Sequence, residues 1–210
     1  MVVVLLHLDV LKKIGGRTPS ILGSKDFTKF SILLPLIEMD GETHVLFEVR
    51  SLTMRRQPGE ICFPGGKVDR DDDSEESAAI RETCEELGIN KDSIGELIPL
   101  DYLVSPFGTI IYPFVAVIDS EANLKPNPSE VEEIFTFPLT ELIEKKPDLF
   151  NVAYKVEPSI DFPFQDIPGG ENYNWQARDM KEHFYYFEDR VIWGLTARIL
   201  KHFIELITGK

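Results

Sequence analysis

The chain has 210 residues, an apolar fraction of 43% and a formal net charge of −14. This length and composition fit one folded domain with a sizeable core. The acidic balance argues against non-specific nucleic-acid binding and against an anionic membrane surface as a partner. A small anionic substrate is compatible with it, because a bound metal ion reverses the local field.

The first residues form a short apolar segment. Residues 3–14 carry apolar side chains at helical spacing before Gly15-Gly16, which predicts a short packing helix. The segment is too short to span a membrane and lacks the charged start and cleavage site of a secretion signal. We predict that residues 1–27, this helix and a polar connection, pack on one domain formed by residues 28–207.

Cysteine usage indicates the compartment. Cys62 and Cys84 form no CxxC pair and no metal-ligand spacing, so neither a zinc site nor a disulfide framework is expected. The final residues, ITGK, are not a peroxisomal address. We therefore predict a cytoplasmic protein, and we place Cys84 in the core.

A hairpin and a cluster of arginines follow. Apolar runs at 30–39 and 44–50 have strand length, and Asp40-Gly41 between them is a two-residue turn signal. The arginines after the hairpin reverse the sign of charge locally in an acidic chain. They either pair with surplus carboxylates or bind phosphate, for which guanidinium groups are well suited. They are Arg50, Arg55 and Arg56.

A helix is predicted after a Gly-rich turn at 64–66. It should begin at residue 73 or 74 and end at Gly88. Ile80, Cys84 and Leu87 fall on one side, which is expected to enter the core. Three glutamates at i, i+3 and i+4 spacing share a sector of about 100° on the other side. These are Glu82, Glu85 and Glu86.

Three carboxylates in one sector indicate a cation site. Like charges at this spacing repel one another, and a cation would offset the repulsion. Oxygen ligands suit a hard ion, Mg²⁺ or Mn²⁺, whose shell is usually completed by water and substrate phosphate. A solvated acidic helix face is the alternative. The Gly-rich turn and Arg81, directly before Glu82, favour the metal site.

The rest of the chain alternates between strand and helix patterns. Residues 157–178 are rich in Pro, Gly and aromatic side chains, and a loop this long often covers a site. Its Tyr173 or Trp175 either stacks on an adenine or packs the loop down. Strands are predicted within 95–104 and at 109–118, 131–137 and 183–187, with helices from Thr140 and, at i+4 spacing, from Val191 to Phe203.

The segment 63–89 resembles the Nudix box. That box is a glycine followed after a fixed gap by Arg-Glu, a hydrophobic residue, any residue, Glu-Glu, any residue, Gly and a hydrophobic residue. Thr83 stands at the usually hydrophobic position. The general box has one residue fewer in its gap and a Glu where this chain has Asp72, so we interpret the run 69–73 as a solvated approach to the helix. The matching residues are Gly66, Arg81, Glu82, Glu85, Glu86, Gly88 and Ile89.

The stretch upstream is similar to the motif of the coenzyme A pyrophosphatases in that family. Arg50-Ser51, Arg55, Gly59 and the Phe-Pro-Gly-Gly of 63–66 reproduce it in register. The residues at 57–58 are Gln and Pro, where the subgroup often has a histidine. The resemblance implies an α/β fold, a Nudix-type α/β/α sandwich with a mixed β-sheet and the box helix. It also implies a Mg²⁺- or Mn²⁺-dependent diphosphatase that cuts coenzyme A into 3′,5′-ADP and 4′-phosphopantetheine.

The resemblance assigns roles to individual residues. Glu82, Glu85 and Glu86 are the implied metal ligands, and Arg81, a permanent cation, is expected to orient Glu82. The base that deprotonates water is left open between Glu82, Glu85 and a late glutamate among 130, 132 and 133. The remaining candidate site residues would meet anionic substrate groups or let the backbone approach them. These are Arg50, Arg55, Arg56, Gly65 and Gly66.

Two other functions stay open at this point. One is hydrolysis of another nucleoside diphosphate derivative, such as ADP-ribose, a nucleotide sugar or a dinucleotide. The other is a non-catalytic module that senses a nucleotide, against which the three box glutamates argue. The expected partner is a small diphosphate substrate, without nucleic acid or membrane, and a homodimer is left open as the assembly.

Overall fold

The structure is a computed structural model, and the residues it describes are 11–176 and 178–209. The predicted N-terminal helix falls mostly outside these ranges, and its last four residues, 11–14, are helical. Leu11 and Ile14, which the helical spacing places on a packing face, are more than half exposed. None of the helices within the described ranges is long and apolar enough to cross a membrane.

The predicted hairpin is confirmed. It consists of β1 (Thr28–Met39) and β2 (Glu42–Arg50), with Met39 opposite Glu42. Asp40 and Gly41 have φ values of 52° and 81°, the positive values that a two-residue hairpin turn needs at both positions. The turn chemistry therefore sets the register of the two strands on which the site is built.

The main sheet has eight strands and is mixed. β7 (Thr109–Ile118) lies parallel to β1, and the other described pairs are antiparallel. The remaining strands are β3 (Ile61–Cys62), β4 (Gly65–Lys67), β5 (Ile98–Pro99), β6 (Leu103–Ser105) and β8 (Val131–Pro138). Along the sheet the order is β3-β2-β1-β7-β5, with β8 beside β2, β4 beside β1 and β6 beside β7.

The strand predicted within 95–104 is wrong in one respect, because it is two short strands. β5 pairs Pro99 with Phe114, whereas β6 pairs Leu103 with Ile111. The three residues between Pro99 and Leu103 therefore lie opposite only two residues of β7, those between Ile111 and Phe114. This mismatch interrupts the ladder as a β-bulge does. Pro113 lies at this interruption and has no backbone N–H to donate, although its carbonyl accepts from Leu100 N at 2.9 Å.

Helices cover both faces of the main sheet. The helix α1 (Glu75–Leu87) packs on one face, where Leu33 meets Ala79 and Phe114. The helix α3 (Gly194–Thr208) packs on the other, in the core that contains Leu34 and Phe47. Leu33 and Leu34 point to opposite faces because side chains alternate along a strand. The predicted α/β/α sandwich with a mixed sheet is confirmed, with a short α2 (Leu139–Glu144) after β8.

A second, three-stranded antiparallel sheet adjoins α3. Its strands are β9 (Asp148–Tyr154), β10 (Arg178–Phe187) and β11 (Arg190–Trp193), in the order β11-β10-β9. The pattern did not indicate β9, and the predicted start of the terminal helix at Val191 is wrong. Val191 pairs with Tyr186 in β11, and α3 begins at Gly194. The i+4 spacing from Val191 to Leu195 runs from a strand into a helix.

The loop before β10 packs on itself. The ring centroids of Tyr173 and Trp175 are 4.9 Å apart, and Phe162 lies 5.7 Å from Trp175. These edge and tilted contacts have the geometry of an aromatic cluster. They favour the interpretation that these rings pack the loop down.

Candidate active site

The box helix α1 has the predicted ends. Ser74 is the N-cap, and its hydroxyl oxygen accepts from the backbone N–H of Ser77 at 3.1 Å. Its own backbone N–H donates to Oγ of Ser77 at 2.9 Å, which completes a capping box. Gly88 ends the helix with φ 64°. A Cβ at Gly88 would lie 2.1 Å from the carbonyl oxygen of Lys125, so only glycine fits.

The C-terminal turn of α1 fixes the segment that follows it in space. Its carbonyls at Glu86 and Leu87 accept from the backbone N–H groups of Asn127 and Lys125, both at 2.9 Å. Helix ends need such partners, because their last carbonyls have none within the helix. The segment 125–130 therefore lies against the end of α1 that carries Glu86.

The predicted division of α1 into a core side and an acidic side is confirmed for Leu87, which is fully buried, and is wrong for Glu86. Glu86 is 4% exposed, whereas Ile80 and Cys84, predicted for the core, are only half-buried. The buried face is built on small side chains, Ala79 and Thr83, that let the helix approach the sheet closely. The Thr83 hydroxyl donates to the Ala79 carbonyl at 2.7 Å and so costs little to bury. The helix therefore carries a carboxylate into the interior.

The turn predicted at 64–66 is wrong at Gly65 and Gly66, which begin strand β4 beside β1 and lie directly on the helix carboxylates. Gly65 N–H donates to Oε2 of Glu86 at 2.7 Å. A Cβ at Gly66 would lie 2.3 Å from Cδ of Glu82, and a Cβ at Gly65 would lie 2.4 Å from the carbonyl oxygen of Ser31. Both glycines are needed for this contact between β4 and α1. Their partners here are the two glutamates, and the predicted approach of their backbone to anionic substrate groups stays a prediction.

A further buried carboxylate comes from β2 and was not predicted. Glu48 is 1% exposed, Cys62 Sγ donates to its Oε1 at 3.2 Å, and its Oε2 has no hydrogen-bond partner among the described residues. Buried charges are normally paired or bound to metal, so an unpaired buried carboxylate oxygen indicates a missing cation. The signal was present as one glutamate inside the otherwise apolar run 45–49, but only strand pairing shows that it faces the box.

The late glutamate that approaches the box is Glu130. Its negative charge raises the pKa values of Glu48, Glu82 and Glu86, which places it near all three. The buried Ser51 holds its backbone, because Ser51 N–H donates to the Glu130 carbonyl at 2.8 Å. The other two late candidates lie apart: Glu132 is exposed, and Glu133 forms an ion pair with Arg190.

The carboxylate cluster of Glu48, Glu82, Glu86 and Glu130 is electrostatically strained. Burial raises the pKa of Glu86, and the charge of Glu48 raises it further, although the Gly65 N–H opposes both. Burial likewise raises the pKa values of Glu48 and Glu82, against the Cys62 bond and the Arg81 bond respectively. Burial without enough positive charge disfavours the ionised forms. A divalent cation would supply that charge, so these residues fit a metal.

The carboxylates of the cluster are not arranged as a complete metal-ligand group in this structure. Within residues 11–176 and 178–209, no three His, Cys, Asp or Glu side chains form a ready metal-ligand group. Arg81, Gly65 and Cys62 instead hold oxygens of Glu82, Glu86 and Glu48. Metal binding therefore requires these carboxylates to exchange those partners for the ion.

Arg81 joins the box to the acidic run before it. Its Nη1 donates to Glu82 Oε1 at 2.8 Å, the predicted bond, while Nε and Nη2 donate to the two oxygens of Asp72 at 2.9 Å each. The side chain of Asp72 is only 7% exposed, so the prediction that the acidic run is merely solvated is wrong at this residue. Glu85 accepts a longer bond, 3.4 Å, from the same Nη1 of Arg81, and its side chain is 53% exposed.

None of the three upstream arginines forms an ion pair in the described part of the chain. Arg55 and Arg56 are exposed, and Arg50 is half-buried with its Nε 3.5 Å from the Arg56 carbonyl. The charge of Arg50 lowers the pKa of Glu48, so Arg50 faces the carboxylate cluster. The alternative that these arginines pair with surplus carboxylates is therefore not supported. They remain available for an anion.

Comparison with known proteins identifies the family. Residues 29–159 match the NUDIX domain. The chain is 32% identical over 158 residues to peroxisomal coenzyme A diphosphatase NUDT7 of Mus musculus, covering 73% of this chain and 66% of that protein. It is 31% identical over 200 residues to Nudix hydrolase 3 of Caenorhabditis elegans, covering 92% and 79%. The chain thus spans just under two thirds of the mouse protein and more of the nematode one.

Solved structures agree in fold. A crystal structure of a MutT/nudix family protein from Enterococcus faecalis superposes with a TM-score of 0.52 at 16% identity, covering 97% of this chain and 70% of that one. At this identity the likeness concerns the fold alone. Together with the domain match and the glycine-lined glutamates of α1, it leads to one conclusion: the chain belongs to the Nudix family and is a Nudix hydrolase.

Proposed function

We propose that this Nudix hydrolase cleaves the diphosphate linkage of coenzyme A, or of its acyl and oxidised forms, into 3′,5′-ADP and a 4′-phosphopantetheine product. The observation that carries the proposal is the buried carboxylate cluster, which Arg50 faces at the root of a loop whose exposed Arg55 and Arg56 form no ion pair within the described ranges. The upstream motif supports the same substrate, as does the printed name of the mouse relative, a coenzyme A diphosphatase.

Mg²⁺ or Mn²⁺ is the cofactor we propose. Glu82 and Glu86 are the first ligands, and Glu48 joins them because one of its buried oxygens has no partner in the described structure. Glu130 completes the oxygen-rich group, whereas Glu85, exposed beside Arg81, stays a predicted ligand. When bound, such an ion neutralises phosphate oxygens and lowers the pKa of its water.

The proposed hydrolysis needs a glutamate base and a residue that positions a glutamate. A water oxygen forms a bond to one phosphorus, the bridging P–O bond breaks, and a water proton passes to a glutamate base. Glu82, Glu85 and Glu130 are the candidates for that base. Arg81 is a positioning residue, because it holds Glu82 and is itself held by both oxygens of Asp72.

The arginines bind the substrate's anionic groups. Arg55 and Arg56 are exposed on a loop whose root is fixed by Ser51 and by the bond from Gly59 N to the Arg50 carbonyl at 3.0 Å. A fixed loop root loses less entropy on binding than a free loop does. Guanidinium groups placed there can meet two phosphate oxygens at once.

A product-resolved assay tests the proposal. The purified chain with Mg²⁺ is incubated separately with coenzyme A, ADP-ribose, a nucleotide sugar and a dinucleoside polyphosphate, and products are identified by mass spectrometry. We expect coenzyme A to be cleaved with the highest kcat/KM, giving both named products. Cleavage of ADP-ribose or a dinucleotide with coenzyme A left intact would contradict the substrate and leave the family unchanged.

We also propose a cytoplasmic location. Both cysteines are free thiols, and Cys62 donates to a buried carboxylate, which fits a reducing compartment. Fractionation of cells that express the tagged chain tests this, and recovery with an organelle marker would contradict it.

A further inference from the structure

A cleft beside β4, outside the carboxylate cluster, is lined by positive charge. It has a volume of about 1130 Å³ and is formed by the segment before β1, the first residues of β1 and the loop after β4. Four cationic residues line it against one carboxylate, in a chain whose net charge is −14. The cations are Lys25, Lys29, Lys67 and Arg70, and the carboxylate is Asp69.

Three of these cations are available to a ligand. Lys25, Lys67 and Arg70 are exposed and have no acidic partner within the described ranges. Lys29 is engaged, because its Nζ bonds to Glu75 at 2.8 Å and lies 5.6 Å from the ring centroid of Tyr112. Three of the four positive charges in the cleft are therefore not paired with carboxylates of the described fold.

The same cleft carries an exposed aromatic ring. Tyr102 is 58% exposed, and its ring centroid lies 5.8 Å from that of Tyr112 at a tilt of 35°. Tyr112 thus supports one side of Tyr102, while the rest of the Tyr102 ring is open to the cleft. A supported, exposed aromatic ring is a platform on which a planar base can stack.

Strand β4 connects this cleft to the carboxylate cluster. Its three residues are consecutive: Gly65 bonds to Glu86, Gly66 lies against Glu82, and Lys67 lines the cleft. At a rise of roughly 3.3 Å per residue, the backbone of Lys67 lies only about 7 Å along the strand from that of Gly65. A ligand whose diphosphate lies at the glutamates can therefore extend its next group into the cleft.

We propose that the cleft binds the nucleotide half of the substrate, with its base on Tyr102 and its ribose phosphate on Lys25, Lys67 and Arg70. The inference rests on the proposed function, because coenzyme A carries a phosphate monoester on the ribose next to its diphosphate. The dianionic phosphate monoester matches the unpaired cations of the cleft, and the base next to it matches the exposed ring of Tyr102. The cleft would then select coenzyme A over dephospho-coenzyme A, which lacks that phosphate.

Steady-state kinetics on the two substrates test the selection. In the double variant Lys25→Gln/Arg70→Gln, we expect KM for coenzyme A to rise roughly tenfold, as for lost charged hydrogen bonds. The KM for dephospho-coenzyme A and the kcat for both should change less than about twofold. Lys91→Gln/Lys146→Gln, two exposed lysines outside the cleft, is the charge-matched control and should resemble the parent. Equal loss on both substrates would overturn the proposal.

Binding without turnover separates this inference from the proposed reaction. Adenosine 3′,5′-bisphosphate is titrated into the metal-free protein in a calorimeter, and the double variant should bind it roughly tenfold more weakly. Tyr102→Ala should also weaken binding, whereas Tyr102→Phe should retain it. If coenzyme A is not cleaved but these losses of binding appear, the proposed reaction is contradicted and the proposed nucleotide site is supported. If coenzyme A is cleaved and parent and double variant bind the bisphosphate equally, the cleft inference alone is overturned.

Discussion

Gly65 N–H donates a 2.7 Å hydrogen bond to Oε2 of Glu86, a carboxylate that is 4% exposed. This bond joins β4 to the last turn of α1 and holds a charged side chain inside the molecule. The neighbouring Gly66 leaves room for the carboxylate of Glu82. The two glycines at the start of β4 therefore let the backbone contact the helix glutamates closely.

Gly66→Ala should separate activity from stability. Its Cβ would meet the Glu82 carboxylate, the mobile end of a side chain, so we expect the free energy of unfolding to change by less than about 1 kcal/mol. The displaced carboxylate should lower kcat roughly 100-fold, as misplacement of about 1 Å does. Gly15→Ala, where the nearest atom would lie at an ordinary 3.4 Å, is the control. Full activity in Gly66→Ala would contradict the role of Gly66 in leaving room for the Glu82 carboxylate.

Glu48→Gln should stabilise the metal-free protein. The change removes one buried negative charge from the carboxylate cluster and keeps the side chain's shape, so the free energy of unfolding should rise by roughly 1 kcal/mol. The rise in Tm on adding Mn²⁺ should shrink, because a ligand is lost. Thermal unfolding in EDTA and in Mn²⁺ measures both effects, with the exposed Glu132→Gln as control. A lower Tm in EDTA together with an unchanged Mn²⁺ effect would count against Glu48 as a ligand.

Asp72→Asn should change the pH dependence of stability. The hydrogen bonds from Arg81 hold the pKa of Asp72 below its ordinary value of 3.8. A carboxyl with a lowered folded pKa contributes stability above its unfolded pKa and loses it as pH falls through the folded pKa. The parent should therefore be more stable than the variant at neutral pH, and the difference should close below pH 3.8.

Denaturant unfolding between pH 2 and 7 measures this difference. Asp71→Asn is the matched control, because Asp71 is an exposed residue of the same acidic run. It should follow the parent at every pH. A gap between parent and Asp72→Asn that stays constant across the range would show that the pair with Arg81 is not its source.

Arg55→Gln/Arg56→Gln should weaken substrate binding without unfolding the protein. Both side chains are exposed and have no acidic partner in the part of the chain that the structure describes, so Tm should stay within about 2 °C of the parent. Loss of two phosphate contacts should raise KM for coenzyme A roughly tenfold and reduce its dependence on salt. Arg198→Gln, also exposed, provides the charge control at a distant helix. An unchanged KM would remove these arginines from the binding site.

The sequence predicts local features of this fold well. The Ser74 and Gly88 ends of α1, the Asp40-Gly41 hairpin and the bond from Arg81 to Glu82 all depend on residues near one another in the chain. Helix caps, hairpin turns and contacts between adjacent residues depend only on residues that are close in sequence. A single sequence therefore contains the information needed to predict them.

Features that depend on distant pairing were missed. Glu48 faces the box only because β2 lies between β1 and β3 in the main sheet, and Asp72 meets Arg81 through the path of a loop. Helical spacing places Glu86 on the side opposite the core, but Glu86 is buried because the small side chains of Ala79 and Thr83 let that part of the helix approach the sheet closely. Val191 was assigned to a helix because its pairing with Tyr186 is not visible in the spacing.

Glu86→Gln tests the central claim most directly, that the buried box carboxylates drive diphosphate cleavage. Parent and variant are incubated with coenzyme A and Mg²⁺, and the release of 3′,5′-ADP is followed, with circular dichroism to verify the fold. We predict that the parent releases 3′,5′-ADP and 4′-phosphopantetheine in equal amounts, and that the folded variant loses at least roughly 100-fold in kcat with binding of coenzyme A retained. Turnover by Glu86→Gln at the rate of the parent would contradict the account.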